Sequence, residues 1–397
     1  MTRTVGTVAR GIRAPIITAG DDVIKIVVDS VLNSSKEEGY EIKDRDIVGV
    51  TESMVARAQG NYAAIYDISY DIKRKYSGDI AVVFPILSRN RFLMILKGIA
   101  LSERKIFLVL SYPSDEVGNQ LLDVEKMDEL GINPCMDILN EKEYRQMFGD
   151  DVIHPFTGID YVKIYKEAAV NDNIEIYLAN NPKAALKFSK EILVANIHDR
   201  QRIKKILFKE GAKTVYGLDD ILKEPINGSG YNPDFGLLGS NKASEEKLKL
   251  FPRNCFETVK GIQNLIKEKI GKNIEVLIYG DGAFKDPVGK IWELADPVVS
   301  PGYTDGLKGM PNEIKLKYVI DSKFNNKNKN EIDQALKEMI KRKDANINLN
   351  GKNESLGTTP RQLTDLLGSL CDLISGSGDK GTPIVLVQGY FDNYATD

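Results

Sequence analysis

Short apolar runs separated by polar segments limit the folds that this chain can adopt. Between residues 103 and 222, four runs of strand length occur at 105–110, 174–179, 191–197 and 213–218. The segments 182–189 and 199–210 have helical spacing and lie between three of these strands. Alternating strands and helices are typical of an α/β arrangement. We therefore predict an α/β unit over residues 103–225.

The flanking segments have a different pattern. Residues 4–17 predict a short strand pair with a turn at Gly11, and 20–22 predict the start of a helix. Further strands are predicted at 46–50, 274–279 and 382–388, and further helices at 255–270 and 361–375. The Lys- and Asn-rich stretch 322–357 predicts an exposed excursion with a helical middle at 331–342. The predicted class is α+β or mixed α/β, with a core in two segments, 1–102 and 226–397, around the inserted unit.

Histidine and cysteine are scarce. The chain of 397 residues has two histidines, His154 and His198, and three cysteines, Cys135, Cys255 and Cys371. No Cys-x-x-Cys or His-Glu-x-x-His pattern occurs, which argues against a zinc site and a disulfide framework. Both histidines are predicted to be structural. A bound metal is therefore expected to have oxygen ligands, which favours Mg²⁺ or Mn²⁺.

Charge and hydropathy exclude two classes of partner. The net charge is −3, without the basic footprint of a nucleic-acid-binding protein. The longest apolar runs, at 80–87 and 384–387, are far too short to span a membrane. We expect a cytoplasmic protein that binds neither nucleic acid nor membrane.

Two familiar nucleotide-binding motifs are missing. The chain has no Gly-x-x-x-x-Gly-Lys-Ser/Thr motif. Residues 376–381 match Gly-x-Gly-x-x-Gly, but a helix precedes them and a strand follows, which is the reverse of the dinucleotide-binding order. The sequence favours a plain helix-ending loop there.

Acidic residues cluster after the strand predicted at 274–279. They lie among glycines and prolines and are Asp281, Asp286, Glu293, Asp296 and Asp305. Carboxylates at the mouth of a strand are suitable ligands for a divalent cation that bridges to phosphate oxygens. The alternative is that these aspartates cap loops, since aspartate is a common turn residue.

The segment after the strand at 46–50 is a second candidate. Thr51 and Ser53 provide hydroxyls and Arg57 provides a cation, which together suit an anion at a strand end. An ordinary surface turn is the alternative.

Several of these pieces, taken in order, resemble one family. Arg-Gly-Ile-Arg-Ala-Pro-Ile-Ile at 10–17, the residues 20–22 and the stretch 46–60 resemble the opening of the coenzyme F-420 γ-glutamyl ligases. The similarity resumes at 236–241, 251–252 and 277–284, and 358–389 resemble the family's last helix and strand. Residues 103–225 lie outside the resemblance.

The resemblance implies a fold, an activity and a set of site residues. It implies the ligase fold of this family and an intertwined homodimer. It also implies an enzyme that adds L-glutamate to coenzyme F-420, consumes GTP (or ATP) and uses Mn²⁺ or Mg²⁺. By the same resemblance, Asp281 matches a metal-binding aspartate, Asn241 an asparagine at the guanine nucleotide, and Arg13, Pro15 and Ile16 a nucleotide-contacting loop.

Some positions depart from the family pattern. Gly282 stands where the family has threonine, and Leu238 aligns with a second metal-binding aspartate, so that Asp234 is a candidate substitute. Ala56 and Arg57 align with a serine-lysine pair. We expect Asp281 to hold the metal with Asp234 or Asp286, Arg57 to screen phosphate charge beside Ser53, and Asn241 to orient the nucleotide.

Three functions remain open at this stage. One is amide ligation through an acyl phosphate, with Asp281 and Arg57 as catalytic residues and an amino acid and an acceptor as substrates. A second keeps this chemistry but changes the acceptor, with residues 103–225 determining specificity. The third is a non-catalytic protein that binds a nucleotide or metabolite.

Overall fold

The computed structural model describes residues 4–286, 290–292, 294–324, 328–343, 349, 352–355, 361–376 and 378–396. The strands are β1 (Val8–Ile12), β2 (Ile47–Thr51), β3 (Tyr62–Ala64), β4 (Ile80–Val83), β5 (Ile106–Leu110), β6 (Leu139–Asn140), β7 (Ile174–Leu178), β8 (Glu191–Val194), β9 (Thr214–Gly217), β10 (Asn241–Lys242), β11 (Lys247–Lys249), β12 (Glu275–Tyr279), β13 (Gly302–Tyr303) and β14 (Ile384–Gln388). The helices are α1 (Val23–Glu38), α2 (Glu52–Ala58), α3 (Ile65–Lys75), α4 (Phe92–Ala100), α5 (Val124–Glu129), α6 (Glu141–Phe148), α7 (Tyr161–Lys166), α8 (Arg200–Lys209), α9 (Cys255–Ile270), α10 (Leu316–Lys323), α11 (Lys329–Lys341) and α12 (Leu363–Ile374). The mixed α/β class is thus confirmed.

The first sheet has the strand order β1-β14-β2-β12-β13. Its central pair, β2 and β12, is parallel, and β14 runs antiparallel to β2. Alternate side chains of β2 point to opposite faces: Val48 and Val50 pack in the apolar cluster with α1 and α9, and Ile47 packs in the cluster with α12. Both faces are therefore covered, which explains why β2 and β12 consist mostly of apolar residues.

The prediction of a strand pair with a turn at Gly11 was wrong. Residues 8–12 form the single strand β1, which pairs along its length with β14. Gly11 lies inside this strand, where an added Cβ would be 3.2 Å from the Cβ of Thr382. Glycine therefore permits a close approach at this position and does not form a turn.

The second sheet has the order β6-β7-β5-β4-β8-β9, and only its edge strand β6 is antiparallel. Apolar residues of α3, α4 and α7 pack on one face, and α8 packs on the other together with the helical turn Pro182–Lys187. This turn is a 3₁₀ helix, whereas the sequence predicted an ordinary helix at 182–189. Pro182 occupies its first position, where the missing N–H would have no partner in any helix, so the helical start agrees with the prediction.

Strand β4 belongs to the second sheet although it precedes residue 103. It pairs on one side with β5 and on the other with β8, so it lies at the sheet's centre. The start of the α/β arrangement therefore lies ahead of the predicted boundary. The limits of folding units at 1–102, 103–225 and 226–397 stay predictions.

A small third sheet, β10-β11-β3, connects the chain segments before and after the six-stranded sheet. The fully buried Asn61 beside β3 donates from Nδ2 to the carbonyl of Phe251, at 2.8 Å. In the described residues of the polar stretch 322–357, α11 is the main element. No helix in the described ranges has the length and apolar character that crossing a bilayer requires.

Candidate active site

A cavity of about 630 Å³ lies where the parallel strands β2 and β12 end. Thr51 and Tyr279 are register partners, so the residues that follow them emerge at the same edge of the sheet. Glu52 and Ser53 follow β2, and Gly280 and Asp281 follow β12. This is the edge where α/β sheets commonly bind ligands.

Seven residues predicted from the sequence line this cavity: Pro15, Ile16, Thr51, Ser53, Arg57, Asn241 and Asp281. They come from four separated parts of the chain. Arg13, Asp234 and Asp286 are not among the described residues that line it. The structure therefore does not bring Asp234 or Asp286 to this wall beside Asp281, and their metal roles stay predictions. Pro287, Gly289 and Glu293 lie outside the described residues.

Arg91 bridges the acidic residues that follow β12. Its Nη2 lies 2.6 Å from Oδ2 of Asp281, and its Nη1 lies 2.7 Å from Oδ1 of Asp296. The Asp296 side chain is only 1% exposed, and its Oδ2 also accepts the backbone N–H of Asp281 at 2.7 Å. Burial would lower the pKa of Arg91, but the two carboxylates raise it above its ordinary value. This arginine is therefore a fixed positive charge beside the cavity.

Sequence reasoning did not find Arg91. It lies at the start of α4, after the apolar run 80–87, and it is 190 residues from Asp281. The run was used only to exclude a membrane span. Its position after a strand could have indicated it, because a polar loop with two arginines at the end of a parallel strand predicts a ligand-binding strand end.

Glu52 is a buried carboxylate on the cavity wall. Its residue is 6% exposed, and its Oε2 has no hydrogen-bond partner among the described residues. Burial raises the pKa of Glu52 to about 7, while the nearby Lys249 ammonium lowers it and Asp296 raises it further. The sequence pattern predicted Thr51, Ser53 and Arg57 as site residues in this segment, but it did not predict Glu52.

Another part of the cavity wall is formed by α12 and the loop after it. Asp372 accepts the N–H of Gly282 at 2.9 Å, and burial raises the pKa of Asp372 above its usual range. Gly376, Gly378 and Gly381 also line the cavity. The loop does lie between a helix and a strand, as predicted, but it borders the site and is more than a plain helix ending. Ser377 is outside the described residues.

Two cations of the cavity are held by nearby groups. Arg57 donates from Nε and Nη2 to the carbonyl of Ile17, at 3.3 and 3.2 Å, and so supports the loop that carries Pro15 and Ile16. Lys249, on β11, donates to the hydroxyl of Ser53. The cavity thus combines carboxylates with cations, a combination suited to a ligand that bears phosphate and a metal ion.

The donor set fits a hard divalent cation only in part. Within the described ranges there is no group of three or more His, Cys, Asp or Glu residues placed to hold a metal. Glu52 Oε2, however, is a buried acceptor that has no hydrogen-bond partner in the described part of the chain, and Asp281 also lines the cavity. Oxygen ligands of this type suit Mg²⁺ or Mn²⁺, which usually keep several waters or substrate oxygens.

The histidines contribute nothing to this cavity. His154 is 3% exposed, and its Nδ1 accepts the N–H groups of Phe156 and Thr157, which fits the predicted structural role. His198 contacts the carbonyl of Leu294 through Nε2 at 2.8 Å. Neither residue lines the cavity.

A mixed α/β core with a polar cavity at the ends of parallel strands defines a protein that acts on, or binds, small molecules. The particular family follows from comparison with known sequences. The sequence model of the F420-0:Gamma-glutamyl ligase family matches residues 11–389, and the chain therefore belongs to this family of ligases. The matched range encloses residues 103–225, which the sequence resemblance had left out. No curated protein matched the chain.

Proposed function

We propose that this chain is a nucleotide-dependent ligase that forms an amide between an amino acid, L-glutamate, and a carboxylate-bearing acceptor such as coenzyme F-420. The observation that carries the proposal is the cavity at the ends of β2 and β12. It gathers Pro15, Ile16, Ser53, Arg57, Asn241 and Asp281, which the family resemblance and the strand-end pattern had selected from distant parts of the chain. GTP is the expected nucleotide, with ATP as the alternative.

Amide formation from a free carboxylate is unfavourable in water, and an acyl phosphate overcomes this. An oxygen of the acceptor carboxylate attacks the γ-phosphorus of the nucleotide, and the nucleoside diphosphate leaves. The glutamate nitrogen then attacks the acyl carbon, the C–O bond to phosphate breaks, and the amine loses a proton. The first transfer requires positioning and neutralisation of negative charge more than it requires a histidine base.

Each residue of the cavity has a proposed role in these two steps. Asp281 and the unpartnered oxygen of Glu52 would hold Mn²⁺ or Mg²⁺, which would neutralise phosphate charge. Arg57 and Lys249 place further positive charge beside Ser53. Asn241 orients the nucleotide base, and the loop with Pro15 and Ile16 contacts the nucleotide, with Arg13 at its start. The resemblance implies the roles of Asp281, Asn241 and the loop with Arg13, Pro15 and Ile16, and a common location supports all of these but that of Arg13. The roles of Glu52 and Lys249 are proposed from their place on the cavity wall.

Isothermal titration calorimetry with GTP and Mn²⁺ tests the metal assignment. We compare the wild type with Asp281→Asn, which keeps the size of the side chain but removes its charge. Asp305→Asn is the matched control, because Asp305 belongs to the same acidic run but is paired with Lys260 and Lys308 outside the cavity. Binding that weakens only in Asp281→Asn supports the assignment, whereas unchanged binding would rule it out. ATP is titrated in parallel.

A non-catalytic binding protein is the competing proposal, and one observation favours it. Leu238, at the position of the family's second metal-binding aspartate, is 1% exposed and packs in the apolar cluster of the six-stranded sheet. A carboxylate is therefore absent at that position. Phosphate release from GTP, measured with a panel of amino acids and carboxylate acceptors, separates the proposals. No release with any pair of substrates would favour the non-catalytic protein.

A further inference from the structure

A second cavity, of about 600 Å³, lies at the carboxyl edge of the six-stranded sheet. Four parallel strands each contribute a residue from the loop that follows them: Phe84 after β4, Ser111 after β5, Asn180 after β7 and Asn196 after β8. Its volume is in the range of small-molecule sites, about 300–1,000 Å³. It shares no lining residue with the candidate active site.

The topology of the sheet explains this cavity. From β4 the chain continues to β5 and β7 on one side, and it then crosses to β8 and β9 on the other. The connections that follow β4 and β8 therefore diverge and leave a crevice beyond the strand ends. Open α/β sheets bind their ligands at such a reversal of strand order.

Phe84 has an unusual backbone at this point. Its φ is 57°, in the left-handed region that favours glycine, and its N–H donates to the carbonyl of Val109 at 2.9 Å. A bulky residue held in this region costs free energy, and such residues occur most often at binding and catalytic sites. The strain thus lies at the strand end that borders the cavity.

The walls present three cations, Lys183, Arg202 and Lys209, together with the carboxylates of Asp199 and Glu210, beside apolar surface. One face of α8 contributes Arg202, Ile203, Ile206 and Lys209 at helical spacing, and Lys183 lies on the facing 3₁₀ helix. Arg202 is paired with Asp199 at 2.8 Å and Lys183 with Glu210 at 2.7 Å. Both pairs are largely exposed and therefore weak, so an anionic ligand can compete for these cations at little cost.

We propose that this cavity binds a small organic oxyanion, which is a metabolite with a carboxylate or phosphate head and an apolar body. The head would lie between Lys183 and Arg202, with the amide of the buried Asn196 nearby, and the body would pack against Phe84, Ile203 and Ile206. The loop after β4, residues 84–91, contains no glycine. A dinucleotide, whose pyrophosphate requires a glycine-rich turn at this place, does not fit as well as a smaller ligand.

Cys135 provides a natural reporter because its exposed thiol lines the same cavity. The other two cysteines are buried, and burial raises the pKa of both Cys255 and Cys371 to about 12. A neutral reagent such as N-ethylmaleimide will therefore modify Cys135 first. Intact-mass spectrometry of the full chain gives the modification rate with and without a probe.

The probes are hippurate, phenyl phosphate and benzamide, which share a benzene ring but carry a carboxylate, a phosphate or no charge. Fragments of this size bind with a Kd of about 1 mM, and at about ten times that concentration they are expected to slow modification about tenfold. We expect hippurate or phenyl phosphate to slow it and benzamide to have no effect. Which anion is effective distinguishes a carboxylate ligand from a phosphate ligand.

Charge-reversed variants locate the effect. In the double variant Lys183→Glu/Arg202→Glu, the anion should no longer slow the modification of Cys135. The control is Arg74→Glu/Lys105→Glu, which alters exposed ion pairs outside the cavity. In this control the anion should still slow the modification. Asp281→Asn should also retain it, which separates this cavity from the candidate active site. The proposal is overturned if neither anion slows modification, if benzamide is equally effective, or if the Lys183 and Arg202 variant behaves like wild type.

Discussion

At the scale of single residues, the chemistry of the candidate site depends on partners that are distant in sequence. Arg91 reaches Asp281 and Asp296 from the loop after β4, and Lys249 reaches Ser53 from β11. Local patterns predicted Ser53, Arg57, Asn241 and Asp281, because these follow strands or match family motifs. Strand-end patterns place Glu52 and Arg91 near strand ends, but they specify neither that these charges will be buried together nor that Lys249 will lie beside them.

Removal of Arg91 should strongly destabilise the protein. In Arg91→Leu, the Asp296 carboxylate, which is 1% exposed, would keep only the N–H of Asp281 as a hydrogen-bond partner among the described residues. Breaking a buried ion pair on one side costs about 3–5 kcal/mol. We expect a decrease of this size in the free energy of unfolding, measured by urea denaturation.

Two further variants test the cause of this loss. Arg74→Leu removes an arginine from an exposed pair with Glu224 and should cost less than about 1 kcal/mol. Adding Asp296→Asn to Arg91→Leu should recover part of the stability, because it removes the uncompensated charge. An Arg91→Leu variant as stable as Arg74→Leu would contradict the importance of the buried pair.

Asp115 holds the loop that carries Arg91. Its Oδ2 accepts the N–H of Leu87 at 2.8 Å, and its Oδ1 accepts those of Val117 and Asn119. Burial raises the pKa of Asp115 from 3.8 to about 6, although these hydrogen bonds oppose the change. Between these two values the native state binds more protons than the unfolded chain. This carboxyl therefore lowers the free energy of unfolding as the pH rises from about 4 to 6.

Asp115→Asn removes this titration. The free energy of unfolding of the variant, minus that of wild type, should be about 2–3 kcal/mol higher at pH 7.5 than at about pH 4. Urea denaturation at the two pH values measures the gain. Asp128→Asn, at an exposed carboxylate on α5, is the control and should show a small change at most. A difference between variant and wild type that is independent of pH would contradict the raised pKa.

At the scale of elements, periodicity located most strands and helices well, and close contacts explain the exceptions. The helix predicted at 255–270 has the same bounds as α9, since its apolar spacing and Gly271 define it locally. Gly11, in contrast, looked like a turn but lies inside β1. A glycine required by a neighbouring strand cannot be distinguished from a turn glycine without the tertiary contact.

Gly49 in β2 allows α12 to pack closely on the first sheet. An added Cβ would lie 2.5 Å from Sγ of Cys371, and α12 also carries Asp372 on the cavity wall. We expect Gly49→Ala to lower the free energy of unfolding by about 1–3 kcal/mol, because the helix must move. Gly6→Ala is the control, since its Cβ would meet nothing within 4 Å.

A double variant tests this contact directly. Cys371→Ala removes the sulfur that the new methyl group would meet, so Gly49→Ala should cost less in that background than in wild type. Thermal or urea denaturation of the four chains gives the coupling energy. Additive effects would show that the destabilisation by Gly49→Ala arises elsewhere.

At the scale of the whole molecule, the sequence predicted the class of fold, but the strands that it assigned to the α/β unit did not include β4. Strand β4 looked like part of the first segment because it precedes residue 103. Its partners β5 and β8 lie on either side of it in space, and pairing of parallel strands across long connections is not encoded locally.

The homodimer implied by the family remains a prediction. Light scattering coupled to gel filtration should give twice the chain mass of 44.2 kDa. A mass of one chain, unchanged over a wide range of concentration, would contradict the dimer.

The bridge from Arg91 to Asp281 and Asp296 also has a consequence for the evolution of the chain. The arginine comes from the six-stranded sheet and the carboxylates from the strand-end loop of the other sheet, so neither part can change its charge alone without leaving a buried ion uncompensated. Substitutions at positions 91 and 296 should therefore co-vary among relatives. A relative that lacks the six-stranded sheet must either place another cation beside these carboxylates or have a neutral residue at position 296.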